Sequence, residues 1–343
     1  MRLRFKNHGV LKRFKSNVIE SYAGHIIPTK ITIDVPTDNY SVTLIESNDG
    51  IIGKGLVNWG DGSVTNLNDG YAHMYAKAGE YTIEGQFIFT GSLPINLQNI
   101  LTGIEYLSNK HDNRSFANLF GQCPKLERVK QKRCKLKPTD MHGTFADCDK
   151  LKSTTYIERY WDLNNVTNMT TTFDSCYSLT GSPVCGPKVN DMYATYRDCI
   201  NLTGSPVCGN IVNNMSSTYN GCTNLTGPAI IGPNVTNASD AYANCYNISS
   251  NIYIYSNKVR SLSNAFIGVI NGSRRFNIYV PKTGPNSSYN TCNRIINGYD
   301  YLDGGYISFI NAMAANGCYY NVARNLYVYP VSNVAQARMN NGD

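Results

Sequence analysis

The sequence predicts a mixed, β-rich chain in which a small β-sandwich precedes an α/β solenoid. Three observations carry that prediction. Residues 166–248 repeat with a step of 23, which places Met169, Met192 and Met215 in one register, Phe173, Tyr196, Tyr219 and Tyr242 in a second, and Cys176, Cys199, Cys222 and Cys245 in a third. A fixed period in the twenties marks an architecture whose single unit cannot bury its apolar side alone and must stack on a neighbour. Ahead of the repeats, segments 31–35, 40–45 and 80–89 alternate apolar and polar residues, the period of half-buried strands. The 343 residues carry only 16% charged side chains and a net charge of +7, with abundant Asn, Ser, Thr, Gly and Tyr. That surface suits extracellular adhesins and virion proteins better than a cytosolic enzyme.

Within one repeat, Val189, Met192, Tyr196, Cys199 and Leu202 are spaced by three or four residues, which predicts one buried face of a short helix or helical turn. The following Thr203–Gly209 contains Pro206 between glycines and is expected to be a short extended piece. Such pieces would stack in parallel at about 4.8 Å per coil. The core expected from these ladders is Met169, Phe173, Cys176, Met192, Tyr196, Cys199, Met215, Tyr219, Cys222, Tyr242 and Cys245, joined by Trp59 in the preceding unit. Six cysteines (123, 148, 176, 199, 222 and 245) share one coil position, and they read as small buried hydrophobes rather than as a disulfide framework. Cys185 and Cys208 form a shorter second ladder.

Asn165–Met169, Phe173, Cys176 and Leu179 resemble the short repeats of bacterial surface proteins (the BspA-like type), a divergent branch of the leucine-rich repeats. Irregular coils extend the pattern to Phe120, Cys123 and Leu126, to Phe145, Cys148 and Leu151, and later to Phe266 and Val269. The resemblance implies a leucine-rich-repeat-like solenoid that acts as a binding scaffold without catalytic residues. Upstream, Trp59-Gly60-Asp61-Gly62-Ser63, followed by His73-Met74-Tyr75 and Gly79-Glu80-Tyr81, resembles the PKD-type immunoglobulin-like domain. That implies an Ig-like β-sandwich in which Trp59 fills the space between sheets and His73 is a packed residue.

Taken in order, residues 1–27 form a basic arm with Arg2, Arg4, Lys6, Lys12, Arg13 and Lys15. It is either a docking segment or a solvated terminus. Residues 28–92 are the sandwich, 93–112 a linker and N-terminal cap, 113–281 the repeat solenoid, and 282–343 a tyrosine-dense C-terminal cap suited to recognition or to a homo-oligomer interface. Residues 124–138 hold seven basic residues against one Glu and would form a basic stripe or a solvated edge. Tyr156, Tyr160 and Trp161 lie in an insertion and either contact a ligand or fold back over the core. The strand-side positions Thr180, Ser182, Thr203, Ser205 and Thr226 are the expected binding face.

The five histidines show no metal-type spacing, and nucleophile-elbow, phosphate-loop and dinucleotide patterns are absent from the sequence. Asp174 and Asp198 read as solvent-facing. No cofactor, metal or catalytic residue is expected. No stretch approaches a membrane span, and no secretory signal is visible at the start. The expectation is a non-enzymatic phage structural protein, a fibre, decoration or adhesin component of the virion. Its partners would be other virion proteins and a host-surface glycan or protein, with nucleic acid not among them. A bacterial cell-surface adhesin is the alternative.

Overall fold

The computed structural model describes residues 27–44, 55–131, 135–249, 251–256, 258–262, 264–269, 275–281, 319–321 and 326–342. The six basic residues of the arm and Cys134, Cys292 and Cys318 lie outside the described residues. The fold is β-rich with few helices. Among the described residues, no helix is long and apolar enough to cross a membrane.

The N-terminal unit begins with β1 (Thr29–Val35), β2 (Tyr40–Thr43), β3 (Leu56–Asn58), β4 (Val64–Asn66), β5 (Ala72–Tyr75) and β6 (Gly79–Gly85). It continues through a short helix α1 (Ile95–Gln98), β7 (Leu101–Tyr106) and β8 (Arg128–Val129). One sheet runs β4-β3-β6-β1-β7-β8, and β2 pairs separately with β5. Strand β1 sits centrally, antiparallel to both β6 and β7, with Ile31, Ile33 and Val35 buried. Segment 93–112 is therefore not a loose linker. Leu101 and Ile104 of β7 are buried, and β7 pairs antiparallel with β1 on one edge and in parallel with β8 on the other, so the sheet passes directly into the first coil.

Trp59 is wholly buried. Its Nε1 donates to Thr65 Oγ1 at 3.0 Å, the Tyr75 hydroxyl donates to its carbonyl at 2.8 Å, and the His73 ring stacks on it at 5.0 Å. Gly60 has φ +90, and a Cβ there would lie 2.6 Å from the Thr82 carbonyl, so only glycine makes this turn without displacing β6. Asp61 accepts from the Ser63 amide at 2.9 Å and sits 2.7 Å from His73 Nε2. Burial pushes its carboxyl upward, but the hydrogen bonds from Ser63 and His73 outweigh that and hold it at about 2. His73 and Asp61 thus close the turn.

His111 fixes the passage from this unit to the coils. Its Nδ1 faces the Ser108 carbonyl at 3.0 Å, and its Nε2 accepts from the Phe89 amide at 3.1 Å. Phe89 in turn packs edge-on to Phe120 of the first coil, with ring centroids 6.4 Å apart.

The coils keep the predicted buried face but are not helical. Val166, Met169, Phe173, Cys176 and Leu179 are all buried, as are their counterparts one step on. The local structure is a run of turns, because two residues in the turn segment of each coil, four apart, adopt left-handed φ. They are 118/122, 143/147, 171/175, 194/198, 217/221, 240/244 and 264/268. Each left-handed residue breaks the helix and turns its N–H out of the coil. Thr171, Ser175, Ala194 and Asp198 donate to Tyr193, Arg197, Ser216 and Asn220 of the following coil at 2.7–2.9 Å. Between Thr171 and Ser175, the amides of Thr172 and Asp174 bond within the coil, to Met169 and Thr171, while that of Phe173 donates to Thr195 of the following coil at 2.8 Å. The backbone therefore alternates between closing its own turn and bonding to the next one.

Side chains complete this ladder. The aromatic column stacks face to face from Phe120 through Phe145, Phe173, Tyr196, Tyr219 and Tyr242 to Phe266, with centroids 5.3–5.8 Å apart. The cysteines are more than small hydrophobes: Cys148, Cys176, Cys199, Cys222 and Cys245 each point their thiol at a carbonyl of the preceding coil at 2.9–3.1 Å. A buried threonine column, Thr144, Thr172, Thr195 and Thr218, does the same with its hydroxyls at 2.8–2.9 Å. The column cysteines, with Cys123, Cys185 and Cys208, make eight described cysteines, all free thiols. Burial raises the thiols of the main column, Cys245 to about 12, so their thiolate population at neutral pH is negligible. Alkylation at pH 8, mapped by peptide mass spectrometry, should leave Cys176, Cys199, Cys222 and Cys245 unmodified until denaturant is added; rapid native labelling of this column would contradict the burial.

The extended pieces become true strands only late in the stack, as β9 (Ala229–Ile231), β10 (Asn251–Ile254) and β11 (Phe276–Pro281), all parallel. They are followed by β12 (Tyr319–Asn321), β13 (Leu326–Val331) and a closing helix α3 (Val334–Asn340). Residues 180–186 and 203–209, expected as strands, are irregular. Pro183 and Pro206 supply no N–H there. The backbone of Val184 is satisfied instead by the buried Tyr196 hydroxyl, which accepts from its amide at 2.8 Å and donates to its carbonyl at 2.7 Å. Tyr219 and Tyr242 repeat this arrangement on Val207 and Ile230.

Candidate binding groove

The irregular extended pieces leave a depression on the side of the stack. Pro183, Val184 and Cys185 form its floor in one coil, and Val207 and Cys208 continue it in the next. The insertion builds one wall: helix α2 (Thr155–Tyr160) and the 3-10 turn Leu163–Asn165 bring Glu158, Trp161 and Asp162 to the groove, beside Lys135, whose Nζ donates to the Glu158 carbonyl at 3.4 Å. This concavity measures about 640 Å³. A second of about 430 Å³ adjoins it, lined by Ser205, Pro206, Ile230, Pro233, Tyr255 and Arg338. Both share Val207, Cys208 and Asn210, so together they form one groove across the coils.

Burial pushes the Cys185 thiol up to about 11 and the Cys208 thiol to about 12, so the groove floor is uncharged. Charge is confined to the ends. Lys135, Glu158 and Asp162 stand at one end and Arg338 stands at the other. Four buried side-chain nitrogens or oxygens lack a hydrogen-bond partner among the described residues, and two of them, Trp161 Nε1 and Arg338 Nε, belong to groove-lining residues.

The expected binding face divides. Thr180, Ser182, Thr203, Ser205 and Thr226 are all exposed and fall in register along the stack. Thr203 and Thr226 donate their amides to Gly181 and Gly204 of the preceding coil at 3.0 Å. Only Ser205 of the five lines the groove. Gly204 and Gly227, at positive φ, lie so close to Ser182 and Ser205 that a Cβ would meet their hydroxyls at 2.4–2.5 Å. Ser182 and Ser205 are thus spacers as well as surface residues.

Of the insertion residues, Trp161 is corrected from surface contact to core. It is 2% exposed and packs against Phe116 and Phe145 at 5.2 and 5.4 Å, because the end of α2 directs it inward. Tyr156 and Tyr160 are half-buried and stack on one another at 6.5 Å. Asp174 is also corrected: it is buried and held by a two-pronged pair with Arg197 of the following coil. The basic stripe is partly neutralised. Lys125 pairs with Asp34 at 3.0 Å, and Arg128 and Lys130 share Glu105 at 2.9 and 3.4 Å. Among the described residues, no group of three His, Cys, Asp or Glu could hold a metal ion.

The groove itself was not anticipated. Its signals in the sequence were the Gly-Pro pairs after two of the extended pieces, Gly186-Pro187 and Gly232-Pro233, and the insertion that raises the wall.

Residues 114–203 and 139–253 match the family model described as Mycoplasma protein of unknown function, DUF285. The match is confined to the coils, covers less than half of the chain, and agrees with the likeness to bacterial surface-protein repeats. No curated protein and no solved structure matches the chain.

Proposed function

We propose that the chain is a non-enzymatic structural protein of a bacteriophage particle, a fibre, decoration or adhesin component. In this reading residues 1–27 dock to other virion proteins and the N-terminal unit is a PKD-type, Ig-like spacer. The coils form a leucine-rich-repeat-like solenoid that presents the groove to a host-surface glycan or protein. The observation that supports it best is the allocation of polar groups. Backbone amides inside the coils are spent on the following coil and threonine hydroxyls and thiols on the preceding one, while the groove and the exposed Thr/Ser rows stay open to solvent. A stack built this way is rigid and repetitive, which suits display better than chemistry. The reading as a non-enzymatic protein draws support from how these residues are used: Asp61 and His73 close a turn, and the thiols are held protonated.

A second reading, a bacterial cell-surface adhesin, is favoured by one observation, the match to a family whose description names Mycoplasma. Fractionation separates the two. Under the first reading, mass spectrometry finds the intact chain in purified particles, and deletion of residues 1–27 removes it from them while the coils still fold. Recovery only from the cell envelope would overturn that reading in favour of the second.

A further inference from the structure

The groove ends differ in a way that specifies a ligand. At the insertion end, Lys135, Glu158 and Asp162 line the groove, so the site offers one ammonium donor and two carboxylate acceptors. At the opposite end, Arg338 brings a guanidinium whose Nε has no partner, beside Tyr255, Ser205 and Asn210. Between them lies an uncharged floor of Pro183, Val184, Pro206 and Val207. The described residues leave the Arg338 guanidinium short of acceptors, and a ligand carboxylate would supply them.

From this arrangement we infer that the groove binds a short linear oligosaccharide carrying one carboxylate-bearing sugar. The acidic unit lies at Arg338, where a guanidinium matches a carboxylate in shape and charge. The neutral units run along the floor, where apolar ring faces meet proline and valine. The last neutral unit reaches Lys135, Glu158 and Asp162, where sugar hydroxyls both accept and donate. The inference rests on the solenoid-display reading and sharpens it by naming the ligand class and its direction. A polymer acidic along its whole length fits less well, because Glu158 and Asp162 would repel it. A neutral saccharide leaves Arg338 unmatched.

The test uses the full chain in a Trp59→Phe background, which leaves Trp161 as the one tryptophan, so its fluorescence reports the groove. The probes are 3′-sialyllactose and a glucuronyl-lactose, with lactose as neutral control. The expected result is that at least one acidic trisaccharide binds about tenfold tighter than lactose, the worth of a charge-assisted hydrogen bond. Arg338→Gln, on a partly exposed helix, should reduce that preference to near unity without changing the thermal midpoint. Glu158→Gln, exposed at the other end of the groove, should weaken acidic and neutral probes alike. Equal binding of acidic and neutral probes, an acidic preference that survives Arg338→Gln, or no fluorescence or calorimetric response to either acidic probe at millimolar concentration overturns the inference. The particle-fractionation result does not depend on these outcomes, so either reading can fail alone.

Discussion

Tyr196→Ala is expected to destabilise the folded chain by about 3–5 kcal/mol, and Tyr196→Phe by about 1–3 kcal/mol. The two substitutions remove different things. Alanine deletes a ring with no exposure that is stacked between Phe173 at 5.3 Å and Tyr219 at 5.6 Å, and leaves a cavity in the column. Phenylalanine keeps the stack but takes away the hydroxyl that satisfies both the amide and the carbonyl of Val184, which lies next to a proline and has no strand partner there. Burial pushes this hydroxyl far above its ordinary pKa, so it remains a donor at every accessible pH. Urea unfolding at pH 7 reads both losses. If Tyr196→Phe were neutral, the hydroxyl bridge would not be what replaces the missing ladder. The same logic explains the phenylalanines elsewhere in the column. Phe173 and Phe266 stand where the corresponding backbone is held by the end of α2 or by pairing of β10 with β9.

Acidification from pH 6.5 to 4 should remove about 3 kcal/mol of stability through His111 alone. Burial holds the folded-state imidazole neutral and pushes it down to about 4, against 6.5 for the free group. Below 6.5 the unfolded chain takes up a proton that the folded chain refuses, so stability is complete above that value and declines as pH falls towards 4. Below 4 both states are protonated and this contribution is exhausted. His111→Gln can still accept from Phe89 and donate to Ser108, and it should flatten the decline between 6.5 and 4. Asp61 acts in the same direction at lower pH. Its carboxyl is held at about 2 against 3.8, so its contribution is lost as pH falls from about 3.8 towards 2, and that part should survive His111→Gln. Urea midpoints measured at half-unit steps for both chains check the assignment. A slope that is unchanged by His111→Gln would place the acid sensitivity elsewhere.

Much of the core was legible because burial imposes periodicity on sequence. A step of 23 in Met, aromatic and Cys fixed which side chains face inward, whatever the backbone did between them. The backbone was misread for a physical reason: spacings of three and four suit a helical face, and they also suit successive turns interrupted by left-handed residues. The discriminating signal lay at 171/175, 194/198, 217/221 and 240/244, where Asn, Asp, Ser, Thr or Gly recur and only Ala194 departs from residues common in turns. Trp161 and Asp174 were misplaced because aromatic and acidic residues suggest surface chemistry, whereas α2 turns the first inward and Arg197 neutralises the second. Segment 93–112 hid β7 because the partner of that strand, β1, is some seventy residues away, a pairing that local pattern cannot reveal. The groove depends on the absence of a ladder at Pro183 and Pro206 and on a wall supplied by an insertion, and neither is periodic.

Stacked, interchangeable coils are most directly tested by deletion. Removing residues 190–212, one full step of 23, joins Val189 to Asn213 and brings Phe173 onto Tyr219 and Cys176 onto Cys222 in the native register. Removing residues 190–200 deletes less chain but throws every later ladder out of phase. Thermal unfolding followed by circular dichroism should show a cooperative transition for the in-register deletion, with a midpoint close to that of the full chain, and none for the shorter one. Equal damage from both, or greater damage from the in-register deletion, would contradict a stack of equivalent coils.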